Sequence, residues 1–224
     1  MISLNPKRVT LFAGHYGSGK TNIAVNYALA LKDLGKNVVV ADLDIVNPYF
    51  RTKDSAKELN EKGIEIISPE FANTNVDLPA LPASVYGVVQ NRLRHAVLDI
   101  GGDDRGAYAL GRYAPYIMEE NDFEMIFVAN FLRPLTRTPE EAFEVMKEIE
   151  QAGHIPFTAI VNNSNLGKDT EPEDVEKTDI LAKRLSELSG LPLLFTSAEE
   201  NVAKQLTLNN VLPMKLQKKY FDII

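Results

Sequence analysis

Seven short apolar runs, separated by amphipathic stretches, limit the fold of this chain more than any other feature of its sequence. Three of them, VTLFA at 9–13, AVLDI at 96–100 and MIFVA at 125–129, are nearly unbroken rather than alternating. A strand with one face in water alternates apolar and polar residues, whereas a strand covered on both faces stays apolar throughout. The runs predict strands at 8–13, 37–41, 64–67, 96–100, 124–129, 157–161 and 193–195. Strands of this kind alternating with helix-length segments predict an α/β fold of three layers, a mostly parallel sheet of about seven strands with helices on both faces. The first, fourth, fifth and sixth strands belong at the sheet centre.

Helix boundaries are written locally. Thr138, Pro139 and Glu141 form a capping box with proline at the first helical position, and Ser197 with Glu200 predicts another. Gly35, Gly63, Gly153 and Gly190 fall where helices should stop. Phe143, Met146 and Ile149 recur at helical spacing and should face the sheet. Two stretches, 47–53 and 69–82, are irregular; three prolines interrupt the second. No repeat or linker divides the chain, so one domain over 1–224 is expected.

The composition excludes several function classes. Cysteine is absent, so this chain alone builds no disulfide, iron-sulfur cluster or thiolate metal site. The net charge of -7 disfavours DNA and anionic membranes, whose binding rests on many lysines and arginines. No apolar run approaches the roughly 20 residues of a membrane-spanning helix, and the expectation is a soluble, cytoplasmic protein. The stretch 214–224 mixes Leu216, Phe221, Ile223 and Ile224 with Lys215, Lys218 and Lys219, and should pack on the domain. His95 and His154 have no ligand-like spacing and read as structural.

Between the first strand and the following helix lies Gly14-His15-Tyr16-Gly17-Ser18-Gly19-Lys20-Thr21, which fits G-x-x-x-x-G-K-[ST]. The glycines let the backbone curl until successive amide hydrogens point inward, an anion nest at the positive end of a helix. Lys20 suits the β- and γ-phosphates of a nucleoside triphosphate, and Thr21 offers a hydroxyl to Mg2+. All eight residues are therefore expected to bind nucleotide. Asp42, Asp44 and Asp99 stand where strands end, the edge at which open α/β sheets bind ligands. Asp99, before Gly101 and Gly102, reads as the acid that holds the metal. Asp42 and Asp44, two residues apart, suit the metal shell and an attacking water.

On these motifs the chain resembles the MinD/ParA group of deviant Walker A P-loop ATPases, a group related to the nitrogenase iron protein, dethiobiotin synthetase and the CobQ/CobB amide synthases. The family's K-G-G-x-G-K-[ST] is matched by His15 to Thr21 and its D-x-D by Asp42-Leu43-Asp44. The resemblance implies that Asp44 orients the hydrolytic water, that Thr21, Asp42 and Asp99 serve the metal, and that Lys20 acts in catalysis. It makes 47–51 and 99–105 the two switches and gives Asn162 the adenine edge. The run Asn162-Asn163-Ser164-Asn165 lacks the aspartate that accepts hydrogens from guanine, so ATP is expected over GTP. The departure is His15, in the place of the signature lysine that crosses a dimer to the partner's phosphates. An imidazole brings less charge at neutral pH, and Arg51, Arg105 and Arg133 are candidates to replace it. Tyr16 and Tyr49 are candidates to flank the nucleotide.

The leading expectation is a slow, magnesium-dependent ATPase acting as a nucleotide-controlled switch, with a nucleotide-dependent homodimer and a protein partner or cargo implied by the resemblance. Two alternatives stand beside it. One is a small-molecule kinase or ligase resembling dethiobiotin synthetase, with 69–82 forming an acceptor pocket. The other is a nucleotide-binding regulatory module without hydrolysis.

Overall fold

The computed structural model describes residues 4–44, 56–67, 83–102 and 104–216. The stretches 47–53 and 69–82, with Tyr49 and Arg51, lie outside the described residues, as do the Arg105 side chain and 217–224.

Eight strands among the described residues form one sheet in the order β3-β2-β4-β1-β5-β6-β7-β8, with every neighbouring pair parallel. They are β1 (Val9–Ala13), β2 (Val38–Leu43), β3 (Glu65–Ile67), β4 (His95–Ile100), β5 (Phe123–Ala129), β6 (Ala159–Asn162), β7 (Leu193–Glu199) and β8 (Val211–Met214). The helices are α1 (Lys20–Asp33), α2 (Ala56–Glu61), α3 (Ala83–Gln90), α4 (Asp104–Gly111), α5 (Ala114–Glu120), α6 (Pro139–Gly153), α7 (Pro172–Ser189) and the short α8 (Glu200–Ala203).

The unbroken apolar runs have the consequence expected of them. Along β1, Val9, Leu11 and Ala13 join one core with Leu110, Ile117, Met146 and Leu185 of α4 to α7. Phe12 joins the opposite core with Ile23, Tyr27 and Leu31 of α1. Each fully buried leucine or phenylalanine contributes roughly 1.5–3 kcal/mol. Helices are thus held on both faces, and β1, flanked by β4 and β5, sits at the sheet centre.

Several boundaries differ from the sequence reading. Strand β2 runs on to Leu43 and takes in Asp42, because the Asp42 carboxylate accepts the Asp44 amide at 3.0 Å and so satisfies the strand end. Strand β8 was not foreseen. It is four residues long and contains Pro213, which cannot donate to a ladder and is tolerated here because β8 lies at the sheet edge. Met214, read as the start of a terminal stretch, is buried in β8, and the Asn26 side chain of α1 grips the backbone of Lys215 through both its amide and its carbonyl.

The Thr138 capping box is formed, with Pro139 opening α6. The Ser197 cap is not. Strand β7 continues through Ser197, whose hydroxyl turns inward, and Glu199 caps α8 instead. Gly190 closes α7 in a left-handed conformation, whereas after α6 that role passes from Gly153 to His154. The His95 Nδ1 lies 3.3 Å from the Lys7 carbonyl.

At the N-terminal edge of the sheet, Arg8 is buried. Its guanidinium pairs with Glu120 and also donates to the carbonyls of Val89, Asn91 and Arg94, tying β1 to α5 and to the α3–β4 connection. Removing it leaves Glu120 and three carbonyls without their donor. Arg8→Ala is expected to lower the unfolding free energy by about 3–5 kcal/mol, read from urea denaturation. Arg8→Lys should recover only part of it, because an ammonium cannot span both the carboxylate and the carbonyls.

Candidate functional site

The C-terminal ends of β1, β2 and β4 bring together residues far apart in sequence. Strand β1 ends at Ala13, and the loop from Gly14 curls into α1 with Ser18 N donating to His15 O at 3.1 Å. Gly19 holds the N-cap of α1 in a left-handed conformation, φ 86°, and a side chain there would collide with the Asn163 carboxamide. No side chain caps α1 and its first turn holds no acid, so the positive end of the helix dipole favours an anion. The Lys20 ammonium is buried and folds back over the loop to the His15 carbonyl at 3.2 Å. His15 itself is half-exposed, with Nδ1 3.0 Å from the Tyr16 carbonyl, and Tyr16 is 60% exposed.

Beneath this loop lie the acids. Asp42 of β2 and Asp99 of β4 are register partners on neighbouring strands, and both are buried. Thr21 donates its hydroxyl to Asp99 Oδ2 at 2.5 Å, while among the described residues Asp99 Oδ1 has no hydrogen-bond partner. Burial above all, and then the neighbouring Asp42 charge, push the Asp99 carboxyl well above the usual carboxylate range; Thr21 and Lys20 oppose the shift only in part. Asp44, half-buried just beyond β2, stands beside Gly101: a methyl group on Gly101 would meet Asp44 Oδ1 at 3.3 Å. Gly102 packs so closely on the loop that a methyl group there would lie 2.6 Å from Lys20 Nζ and 2.9 Å from Tyr16 N.

The loop residues Gly14 to Thr21 and the acids Asp42, Asp44 and Asp99 are therefore drawn to one sheet edge. Asn162 ends β6 at the same edge, but its side chain is directed toward Thr178 of α7. Its side chain is fully buried, with Oδ1 accepting from the Ser164 amide and hydroxyl and Nδ2 directed at Thr178 Oγ1. An amide so enclosed presents no edge to a base. The neighbouring Asn163 performs a task that the sequence reading did not assign. Its Nδ2 donates to Ser18 O at 2.7 Å, and its Oδ1 accepts from Ser197 at 2.7 Å, so β6 and β7 brace the glycine loop. The signal available was the run of asparagines after β6, of which only the first had been used.

The donor set also suits a divalent cation. Two buried carboxylates side by side and a threonine hydroxyl are hard oxygen ligands, and Asp99 Oδ1 has no hydrogen-bond partner among the described residues. Among the described residues no group of three or more histidine, cysteine or acidic side chains gathers as an all-protein metal cage. Magnesium at a phosphate site needs none, since it takes one or two protein oxygens and completes its shell with phosphates and water.

No protein-family model matches the sequence, and a search of curated proteins returns no match. The solved structures do match. The cell division protein FtsY of Thermotoga maritima superposes with a TM-score of 0.59 at 20% identity, covering 90% of this chain and 65% of that one. FtsY of Elizabethkingia anophelis in complex with GDP gives 0.58 at 15%, covering 90% and 60%. The signal recognition particle 54 kDa protein of Aeropyrum pernix in complex with GDP gives 0.55 at 13%, covering 88% and 42%. The fold is that of the P-loop nucleoside triphosphatases. This chain spans less than two thirds of the length of each of those three proteins. The likeness carries the P-loop class and not the narrower MinD/ParA membership that the motifs resemble.

A raised carboxyl in the P-loop fold has a measurable consequence. The folded chain holds the Asp99 proton more tightly than the unfolded chain, so stability without nucleotide falls as pH rises from the ordinary carboxylate range, about 4, to the raised pKa near 8. Asp99→Asn keeps the acceptor for Thr21 and removes the charge. It should raise the melting temperature of the nucleotide-free protein at pH 8, by about 2–4 °C for each kcal/mol of strain relieved, and change it little at pH 4. Differential scanning calorimetry across that range checks the sign.

Proposed function

We propose that the chain, as one domain over 1–224, is a nucleoside triphosphate switch that binds the triphosphate with magnesium and hydrolyses it slowly. The observation that carries this is the uncapped N-terminus of α1 beneath a glycine loop, with the buried Lys20 ammonium turned onto the loop and Thr21 bonded to Asp99. The loop amides and Lys20 would bind the β- and γ-phosphates. Thr21 and Asp99 would hold magnesium, with Asp42 supporting them, and the bound ion would neutralise charge on the phosphate oxygens. Asp44, half-buried beside Gly101, is placed to orient a water. Gly101 and Gly102 pack on Asp44 and the loop, and a γ-phosphate bound there would bias that contact.

The base has two supports that disagree. The run Asn162-Asn163-Ser164-Asn165 offers no carboxylate to guanine and favours ATP. Two of the similar structures are GDP complexes, which favours GTP. ATP is the reading drawn from this chain's own residues, although the enclosed Asn162 does not supply its readout.

Calorimetric titration with ATP and GTP, each with magnesium or with a chelator, tests the binding. A magnesium-dependent preference for one base is expected, and binding of neither would overturn the proposal. Asp44→Ala should still bind and lose about 10²–10⁴-fold in turnover. Sizing both proteins with and without nucleotide shows whether the switch includes a dimer.

A further inference from the structure

The loop after β5 carries an arginine whose position is explained by nothing in the fold. Arg133 is exposed, and among the described residues no hydrogen bond or ion pair engages its guanidinium. An arginine without an acidic partner ordinarily extends into water, where its five donors are hydrated. This one lies along the glycine loop instead. A methyl group on Gly17 would meet Arg133 Nε at 3.8 Å, Cδ at 3.9 Å and Cζ at 4.0 Å.

The backbone beneath it is fixed. Phe131 N donates to Ser164 Oγ at 2.8 Å, Leu132 N to Asn130 Oδ1 at 3.1 Å and Arg133 N to Asn130 O at 3.2 Å, while Thr136 Oγ1 closes the turn onto Asn130 O at 2.7 Å. Asn130, Phe131 and Thr136 are buried. The arginine thus rises from a turn that has little left to order when a ligand arrives, which is what a positioned charge requires. The buried Lys20 ammonium reaches the same loop at the His15 carbonyl, so two cations meet the loop in a chain of net charge -7.

We infer that Arg133 is a phosphate contact of this site, a guanidinium fork supplied from the same chain to the terminal phosphoryl group of a bound nucleoside triphosphate. The inference rests on the triphosphate reading above. In hydrolysis the bond from the bridging oxygen to the γ-phosphorus breaks as water oxygen bonds to that phosphorus, and the water's protons leave with phosphate or to solvent. Arg133 transfers none of them; it offsets charge on the phosphoryl oxygens. A planar fork meets two of those oxygens at once, which an ammonium cannot.

The test compares wild type, Arg133→Ala and Arg133→Lys in the full chain. Dissociation constants are measured by calorimetry for ADP, GDP and the non-hydrolysable analogues of ATP and GTP, all with magnesium. Arg133→Ala is expected to weaken triphosphate binding by about tenfold or more while changing diphosphate binding by less than about threefold. Arg133→Lys should fall between wild type and alanine. Melting temperatures should agree across the three proteins, because an exposed side chain with no partner supports no fold. Equal effects on triphosphate and diphosphate, or none on either while wild type binds both, would overturn the role of Arg133 and leave the nucleotide reading standing. If wild type binds no nucleotide, that reading fails first and this one with it.

Discussion

Asp42 and Asp99 are held side by side on neighbouring strands, both buried, at the edge where β2 and β4 meet the glycine loop. Two carboxylates in that position repel each other and lose their water, which is why Asp99 favours its protonated form. The fold tolerates them because each has a local bond that also organises the chain. Asp42 accepts the Asp44 amide and ends β2, and Asp99 accepts the Thr21 hydroxyl and fastens α1 to β4. The Thr21 bond does not satisfy the whole of Asp99, whose Oδ1 has no hydrogen-bond partner among the described residues. The site is thus assembled by interactions that stabilise the apo protein incompletely, and a cation with phosphates would complete them.

The layers around that edge were legible because burial on both faces leaves an unmistakable pattern. VTLFA and MIFVA cannot be half-exposed strands, and Thr138 with Pro139 and Glu141 can do little but begin a helix. What escaped were features decided by tertiary contact. Strand β8 is VLPM, a run that carries no strand signal apart from its pairing with β7 and the grip of Asn26 on Lys215. Ser197 has the sequence of a cap, yet its hydroxyl is drawn inward by Asn163, a residue 34 positions away, so the local signal is overridden.

The candidate site divides in the same way. Its anion cradle is a local motif, a strand, glycines and a helix start, and the residues from Gly14 to Thr21 could be named from spacing alone. The gathering of Asp42, Asp44 and Asp99 followed from the rule that parallel strands end at one edge. Asn162 and Asn163 could not be told apart, because they are adjacent and chemically identical. The alternation of a strand end sends one into the α7 side of the sheet toward Thr178 and the other toward Ser18. The three arginines posed the same problem, and only the folded chain sets one of them, the exposed Arg133, against Gly17.

The two edges of the sheet treat buried polar groups in opposite ways. At the N-terminal edge Arg8 is matched by Glu120 and three carbonyls, and the Glu124 carboxyl accepts from both Thr10 and Tyr27, so the charges and hydroxyls there are compensated within the chain. At the C-terminal edge Ser18 Oγ, Asp99 Oδ1 and Asn130 Nδ2 are buried without hydrogen-bond partners among the described residues. Each such atom costs about 1–3 kcal/mol, an expense that folding alone does not recover. Buried groups compensated at one edge and left short at the other, where Lys20 and Arg133 also converge on the loop, support the proposal that this edge receives an anion and its cation from outside.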